Sequence, residues 1–252
     1  MFRAVLLVSL VMATGVASAD PLPSGTAFQS ENLKTQQADE AANPGMLWVS
    51  EGAELWGRRA GGAEKSCASC HNDASASMKG VATRYPKVDS GSGKLLNLEG
   101  RINLCRSEHQ KTAAFEYESD ELLALTAFVA RQSAGMPIHA AIDGPAKPFY
   151  EKGRALFHQR QGQLNLSCAQ CHVDNAGKSL RGDTISHGLG NGYPAYRLEW
   201  QTLGSLHRRL KSCSFGVRAV RFGYGSPEYL ALELYLAARA KGVAVETPAI
   251  RP

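Results

Sequence analysis

The pentapeptide Cys-x-x-Cys-His occurs twice in this chain, as Cys67-Ala-Ser-Cys70-His71 and as Cys168-Ala-Gln-Cys171-His172. No other feature restricts the fold as much. Thiols in this spacing reach the vinyl groups on one edge of a porphyrin, and the adjacent imidazole turns onto the iron. The spacing therefore predicts two covalently bound haem c groups, anchored on Cys67 and Cys70 and on Cys168 and Cys171, with His71 and His172 as axial ligands. A thioredoxin-like redox pair would need a strand-to-helix context and no following His. A Cys/His zinc site is the other alternative, and the full motif in duplicate favours haem.

The flanks of the motifs also match. Gly52-x-x-Leu55-Trp56 begins fifteen residues before Cys67, and Gly153-x-x-Leu156-Phe157 begins fifteen before Cys168. Each reads as an amphipathic helix leading into a haem loop. Tyr85-Pro86 lies twenty residues before Cys105, and Tyr193-Pro194 lies twenty before Cys213. Each late cysteine has an arginine four positions earlier, Arg101 or Arg209. Tyr117-x-Ser119-x-Glu121-x-Leu123-Ala124-Leu125 answers Tyr224-x-Ser226-x-Glu228-x-Leu230-Ala231-Leu232. Both open a helix with Ser at the N-cap and Glu in the first turn. Phe128 and Tyr235 fall at matching places on that helix, and the second copy carries seven extra residues between its motif and its Tyr-Pro.

The expected fold is therefore mainly α, a tandem of two class I cytochrome c-like domains with an irregular N-terminal arm. The arm is placed at residues 20–46 and is expected to wrap the first domain. The haem domains are placed at 47–140 and 141–252, joined by the Gly/Pro stretch from Gly135 to Pro148. No strand pattern stands out, and the tail after Lys241 reads as loose. Arg3, the apolar run from Ala4 to Val16 and the small-x-small Ala17-Ser18-Ala19 read as an export signal cleaved after Ala19. That run is too short to span a bilayer, and no later stretch is long enough. A periplasmic location is expected. The formal charge of +5 is modest, with no basic block interleaved with aromatics, so nucleic acid is not an expected partner.

Six cysteines in an exported chain first suggest disulfides. Four are taken by the motifs, leaving Cys105 and Cys213. A haem iron has a second axial position, often filled by Met, yet no Met follows Cys168. Met78, Met136, His109 and His139 in the first half, and His187 and His207 in the second, have no repeat-equivalent partners, whereas Cys105 and Cys213 correspond. Metal ligands are accordingly placed at His71, Cys105, His172 and Cys213. Thiolate stabilises ferric iron and would give low potentials. A Cys105–Cys213 disulfide and inert buried thiols stay open as alternatives. His187 and His207 read as surface or supporting residues, Met78 and Met136 as packing residues.

Arg208, Arg209 and Lys211 precede Cys213, and Arg218 and Arg221 follow it. Positive charge favours a thiolate and binds oxyanions; a solvated basic face is the plainer reading. With the paired motifs, Arg209-Leu-Lys-Ser-Cys213 and Gln163-Leu-Asn-Leu-Ser-Cys-Ala-Gln-Cys-His172, nearly the whole chain resembles SoxA, the dihaem subunit of the SoxAX cytochromes of bacterial sulfur oxidation. The resemblance implies a heterodimer with a SoxX-type monohaem cytochrome. It implies an L-cysteine S-thiosulfotransferase that joins thiosulfate to a cysteine of a SoxY-type carrier, passing electrons through haem to a c-type cytochrome. It implies that Cys213 ligates the active-site haem and can carry an extra sulfur, with Arg209 beside it; on charge, Arg209, alone or with Lys211, is expected to hold the sulfonate end of thiosulfate, so that Cys213 and Arg209 are the expected catalytic residues. The first haem, on His71 and Cys105, is absent from some family members. A dihaem thiosulfate dehydrogenase and a plain electron carrier are the rival expectations; a dihaem peroxidase fits less well, because its iron needs an open position.

Overall fold

The structure, a computed structural model, describes residues 20–252, so the export signal and its cleavage after Ala19 lie outside the described residues. The first half runs through α1 (Glu31–Ala38), α2 (Met46–Gly57), α3 (Ala68–His71), α4 (Ala74–Ser77), α5 (Leu98–Cys105) and α6 (Asp120–Arg131). The second runs through α7 (Lys147–His158), α8 (Cys168–His172), α9 (Leu206–Gly216) and α10 (Pro227–Arg239). None of these helices is long and apolar enough to cross a membrane.

Local chemistry explains the long helices. Ser119 caps α6 by accepting from Leu122 N, with Asp120 and Glu121 in the first turn and Arg131 in the last. Ser226 caps α10 in the same way, accepting from Tyr229 N. Val49, Gly52, Leu55 and Trp56 form the buried stripe of α2. That stripe packs on α6, and α7 packs on α10, at equivalent glycines. A Cβ on Gly52 would run into Ala124 O and lie 2.6 Å from Phe128 Cβ. A Cβ on Gly153 would run into Ala231 O and lie 2.9 Å from Tyr235 Cβ. The repeated Gly-x-x-Leu-aromatic is thus one close helix crossing built twice.

Several expectations are corrected. Strands exist, although each has only two or three residues: β1 (Lys87–Val88) pairs with β2 (Leu95–Leu96), and β3 (Ser179–Leu180) with β4 (Asp183–Thr184). In a three-stranded sheet, β5 (Ala195–Arg197) lies between antiparallel β6 (Thr202–Gly204) and parallel β7 (Ala249–Arg251). The tail is not loose: Val243 and Val245 are buried, and every residue of β7 is buried. The Gly135–Pro148 stretch is no free linker, since Gly135 N donates to Val245 O and Ile138 N to Val243 O, both at 2.9 Å.

The arm, finally, holds chiefly to the C-terminal segment. Gln29 Nε2 donates to Ile250 O at 2.8 Å, Asn43 Nδ2 to Pro248 O at 2.9 Å, and Arg251 Nη1 to Gln37 Oε1 at 2.8 Å. It touches the first half through the Arg131–Glu40 ion pair. Ser30 caps α1, so the arm is partly helical.

A polar cluster joins the halves. His207 Nε2 lies 3.0 Å from Glu233 Oε2, Asn97 Nδ2 donates to that oxygen at 3.1 Å, and the Tyr117 hydroxyl donates to Asn97 Oδ1 at 3.0 Å. The Tyr117 ring stacks on His207. Burial, reinforced by Glu233, pushes the Glu99 carboxyl up to about 8. Burial lowers His207, but Glu233, Glu99 and Glu118 outweigh it and raise the imidazole above its usual value.

Candidate haem and thiol sites

Each motif sits on a short helix entered through a reciprocal exchange between residues three apart. Ser167 Oγ accepts from Gln170 N, and Gln170 Oε1 accepts from Ser167 N at 2.9 Å. In the first half, Ser66 N donates to Ser69 Oγ at 3.0 Å and Ser69 N to Ser66 Oγ at 3.1 Å. The loops before the motifs are tied by the same exchanges: Gly62 N donates to Lys111 O, and Gln163 N to Arg218 O, each at 3.3 Å. The late cysteines stand on helices that also match. Asn97 caps α5, which ends at Cys105, and Ser205 caps α9, which carries Cys213. The Tyr85–Pro86 and Tyr193–Pro194 bonds are both cis.

The structure brings each late thiol to its own motif. Cys105 lies close enough to Cys70, and Cys67 to Cys105, for their charges to interact. Cys213 stands in the same relation to Cys168 and Cys171. None of the six cysteines is in a disulfide, so the Cys105–Cys213 bridge does not form.

The two late thiols differ in electrostatics. Burial pushes Cys105 up, with Arg101 only partly opposing it and Glu108 adding to it. Burial also acts to raise Cys213, but the Arg209 guanidinium, the His172 imidazole and Arg197 outweigh it and bring the thiol down to about 7. The cause is visible in the partners. Arg101 Nη2 donates to Asp89 Oδ1 at 2.6 Å, so its charge is largely spent. Arg209 takes part in no ion pair among the described residues, and the Cys213 thiolate is the main group raising its own pKa. Of the expected cationic group, Arg209 bears most on the thiol. Lys211 instead places Nζ 3.9 Å from the Tyr224 ring centroid, Arg208 lies 4.3 Å over Trp200, and Arg218 Nη1 donates to Gln163.

Four of the other expected candidates have identifiable partners. Of the two readings, surface or supporting residue, His207 takes the second: it is buried in the polar cluster and closes against Glu233. His187 packs edge-on to Phe28 at 5.5 Å, and Met78 packs against the cluster around Trp56 and Ala74. His139 Nδ1 contacts Pro137 O.

Several supporting residues carry no motif signal. His172 Nδ1 donates to Ser186 O at 2.7 Å, which fixes the ring and leaves Nε2 for a ligand. Gly188, at φ +69°, packs on that ring; a Cβ there would lie 2.7 Å from His172 Cγ. Arg239 Nη2 donates to His172 O at 3.4 Å, its guanidinium covers Phe157 at 4.5 Å, and its Nη1 is buried without a partner. His71 has a different support, the Trp56 ring at 5.8 Å, whose Nε1 donates to Asn72 O. The donor sets fit c-type haem: paired thiols, an adjacent imidazole and an apposed late thiol in each half.

The family model of the SoxA/TsdA cytochrome c domain matches residues 51–138 and 152–245. The L-cysteine S-thiosulfotransferase subunit SoxA of Pseudaminobacter salicylatoxidans is 42% identical over 90% of this chain and 80% of its own. The protein of that name from Rhodovulum sulfidophilum is 39% identical over 92% of this chain and 81% of its own. The crystal structure of SoxXA from P. pantotrophus superposes with a TM-score of 0.88 at 37% identity, covering 92% of this chain and 87% of that one.

Proposed function

The chain belongs to the SoxA/TsdA cytochrome c domain family, and from that premise we infer that it is the SoxA-type subunit of an L-cysteine S-thiosulfotransferase. It joins thiosulfate to a carrier-protein cysteine. The product is a cysteine S-thiosulfonate, and one proton and two electrons are released per thiosulfate and thiol consumed. Residues 47–140 and 141–252 each hold one covalently bound haem. Cys67, Cys70, His71 and Cys105 hold the first; Cys168, Cys171, His172 and Cys213 hold the second. Bound there, haem supplies a one-electron acceptor.

The rest of the chemistry belongs to the chain. Arg209 draws the dianion to the second site and holds its sulfonate end by charge-assisted hydrogen bonds. Cys213, whose thiolate form the Arg209 guanidinium favours, meets the outer sulfur. Ser186 and Gly188 hold the His172 ring in one orientation. Lys211 instead sets its ammonium 3.9 Å from the Tyr224 ring centroid. A SoxX-type monohaem cytochrome completes the enzyme as a heterodimer. A SoxY-type carrier brings the acceptor thiol, and a c-type cytochrome removes the electrons. The whole operates in the periplasm after export.

The observation that carries this reading is the different surroundings of two equivalent thiols: Arg101, four residues before Cys105, is closed on Asp89 at 2.6 Å, whereas Arg209, four residues before Cys213, is in no ion pair among the described residues. Replacing Cys213→Met should leave both haems covalently attached by mass yet abolish thiosulfate-dependent haem reduction in the presence of the partner cytochrome and carrier. Unchanged turnover in that variant would refute the assignment.

A further inference from the structure

The repeat brings two unlike acid–base groups to one place. Glu99 lies six residues before Cys105, and His207 lies six before Cys213. Each stands in the first turn of the helix that carries its late cysteine, Glu99 in α5 and His207 in α9. The positions are equivalent, yet the two residues share one neighbour, Glu233 of α10. The helices that present the two late thiols therefore begin in a single polar cluster.

Glu233 Oε2 lies 3.0 Å from His207 Nε2 and accepts from Asn97 Nδ2 at 3.1 Å. Glu99, only 6% exposed, is faced by Glu233, His207, Glu118 and Tyr117. Three carboxylates thus meet one imidazole and the Arg208 guanidinium, which stands 3.9 Å from Glu118. Even with His207 charged, one negative charge is left over, and burial favours cancelling it with a proton. Glu99 and Glu233 also line one cavity of about 70 Å³ between the halves, together with Tyr85, Tyr193, Thr126 and Asn191. Thr126 Oγ1 and Asn191 Oδ1 are buried without a partner. A polar space of that size can hold water, and water can pass a proton. Its tyrosines adjoin the arginines beside the late thiols, Tyr85 at Arg101 and Tyr193 at Arg209.

We propose that Glu99 is a redox-linked proton site shared by both halves: it takes up a proton from solvent as an electron enters either half, and returns it as the electron leaves. The inference goes beyond the proposed function and needs only the two bound haems. An arriving electron adds one negative charge, and the proton on the Glu99 carboxylate offsets it; no bond other than that O–H forms or breaks. Six residues of α-helix span about 9 Å. Unit charges at that separation inside a protein shift an equilibrium by about tenfold or more. The effect is reciprocal, so a proton on Glu99 favours reduction by the same factor. Glu99 acts on the first half along α5 directly. It acts on the second across Glu233 and His207, over a longer path, and so more weakly.

The test is electrochemical titration of the haem-loaded protein from pH 6 to pH 9, without thiosulfate, each haem being followed by its spectrum. As pH rises through the range around 8 where Glu99 loses its proton, the first midpoint potential should fall by about 59 mV, a tenfold change for one electron. The second should fall in the same direction by less. Glu99→Gln should flatten both profiles, and Glu99→Asp should keep a fall in both. In weakly buffered solution at pH 8, reduction of the wild type should take up protons, and Glu99→Gln should lose most of that uptake. Flat potentials in the wild type refute the proposal. An equal fall in Glu99→Gln assigns the titration to a haem propionate or an axial thiol and also refutes it. A fall in the first haem alone overturns the sharing between halves. Should Glu99→Gln fail to load haem, the infrared difference spectrum of the wild type carries the test. Reduction at pH 8 should increase the signal of a protonated carboxyl, and no increase refutes the proposal. Thiosulfate enters none of these measurements, so their failure leaves the proposed function standing, and loss of that function leaves them intact.

Discussion

Replacing Gly153→Ala should destabilise the second half, although alanine is the better helix former. A Cβ at 153 would run into the Ala231 carbonyl, with Ala231 C at 2.6 Å and Tyr235 Cβ at 2.9 Å. The obstacle is backbone of α10, so no side chain can rotate away; α7 must move off. Overpacking of this kind costs roughly 1–3 kcal/mol, and a rigid obstacle puts this site at the upper end. The gain in helix propensity returns about 1 kcal/mol. The net loss is about 1–2 kcal/mol, or roughly 2–8 °C in Tm for a chain of this size. Thermal unfolding followed by circular dichroism measures it. Displacing α7 would also disturb Phe157 and Tyr235, which pack on each other at 5.1 Å under the second motif, so the second haem's spectrum should change as well. Gly57→Ala is the control, because a Cβ there meets nothing within 4 Å at the end of α2. A Gly153→Ala protein as stable as the wild type would refute the close-crossing argument. So would an equal loss in Gly57→Ala, which would show that the cost is not steric.

The polar cluster between the halves should make stability fall as pH rises. Glu99 holds its proton up to about 8 in the fold, while the unfolded carboxyl loses it near 4.5. The folded state therefore binds more protons across that interval, and stability declines with pH there. His207, raised by Glu233, contributes in the same direction: its stabilisation is complete below the ordinary imidazole range and is lost as pH passes its elevated value. Urea titrations from pH 5 to pH 9 should show this decline, and Glu99→Gln should remove most of it; a flat profile in the wild type would contradict the account. Gly188→Ala should tilt the His172 ring, since the new Cβ would lie 2.7 Å from Cγ at a φ of +69°. Electron paramagnetic resonance of the ferric protein should then show a changed second low-spin signal and an unchanged first one, and identical spectra would count against ring fixation by Gly188.

Legibility in the sequence followed the range of the interactions. The two helix pairs could be read because their signals are local: a Ser cap, acidic first turn and apolar stripe on α6 and α10, and a glycine with leucine and aromatic on α2 and α7. The haem motifs are local as well. β5 and β7 could not be read, because each has three residues and the partners lie far apart in the chain. The tail reads as loose for the same reason, since Val245 finds its place only by pairing near Gly135. Charge is hidden in a different way. Arg208, Arg209 and Lys211 look alike in sequence, yet Trp200 and Tyr224 engage the outer two and leave Arg209 to the thiol. Aligning the halves recovers part of what single motifs miss. Positions that agree, such as Gly52 with Gly153 and Cys105 with Cys213, do what any haem-bearing half requires. Positions that differ in charge cannot serve that shared purpose. Glu99 against His207 therefore points to the contact that joins unlike halves.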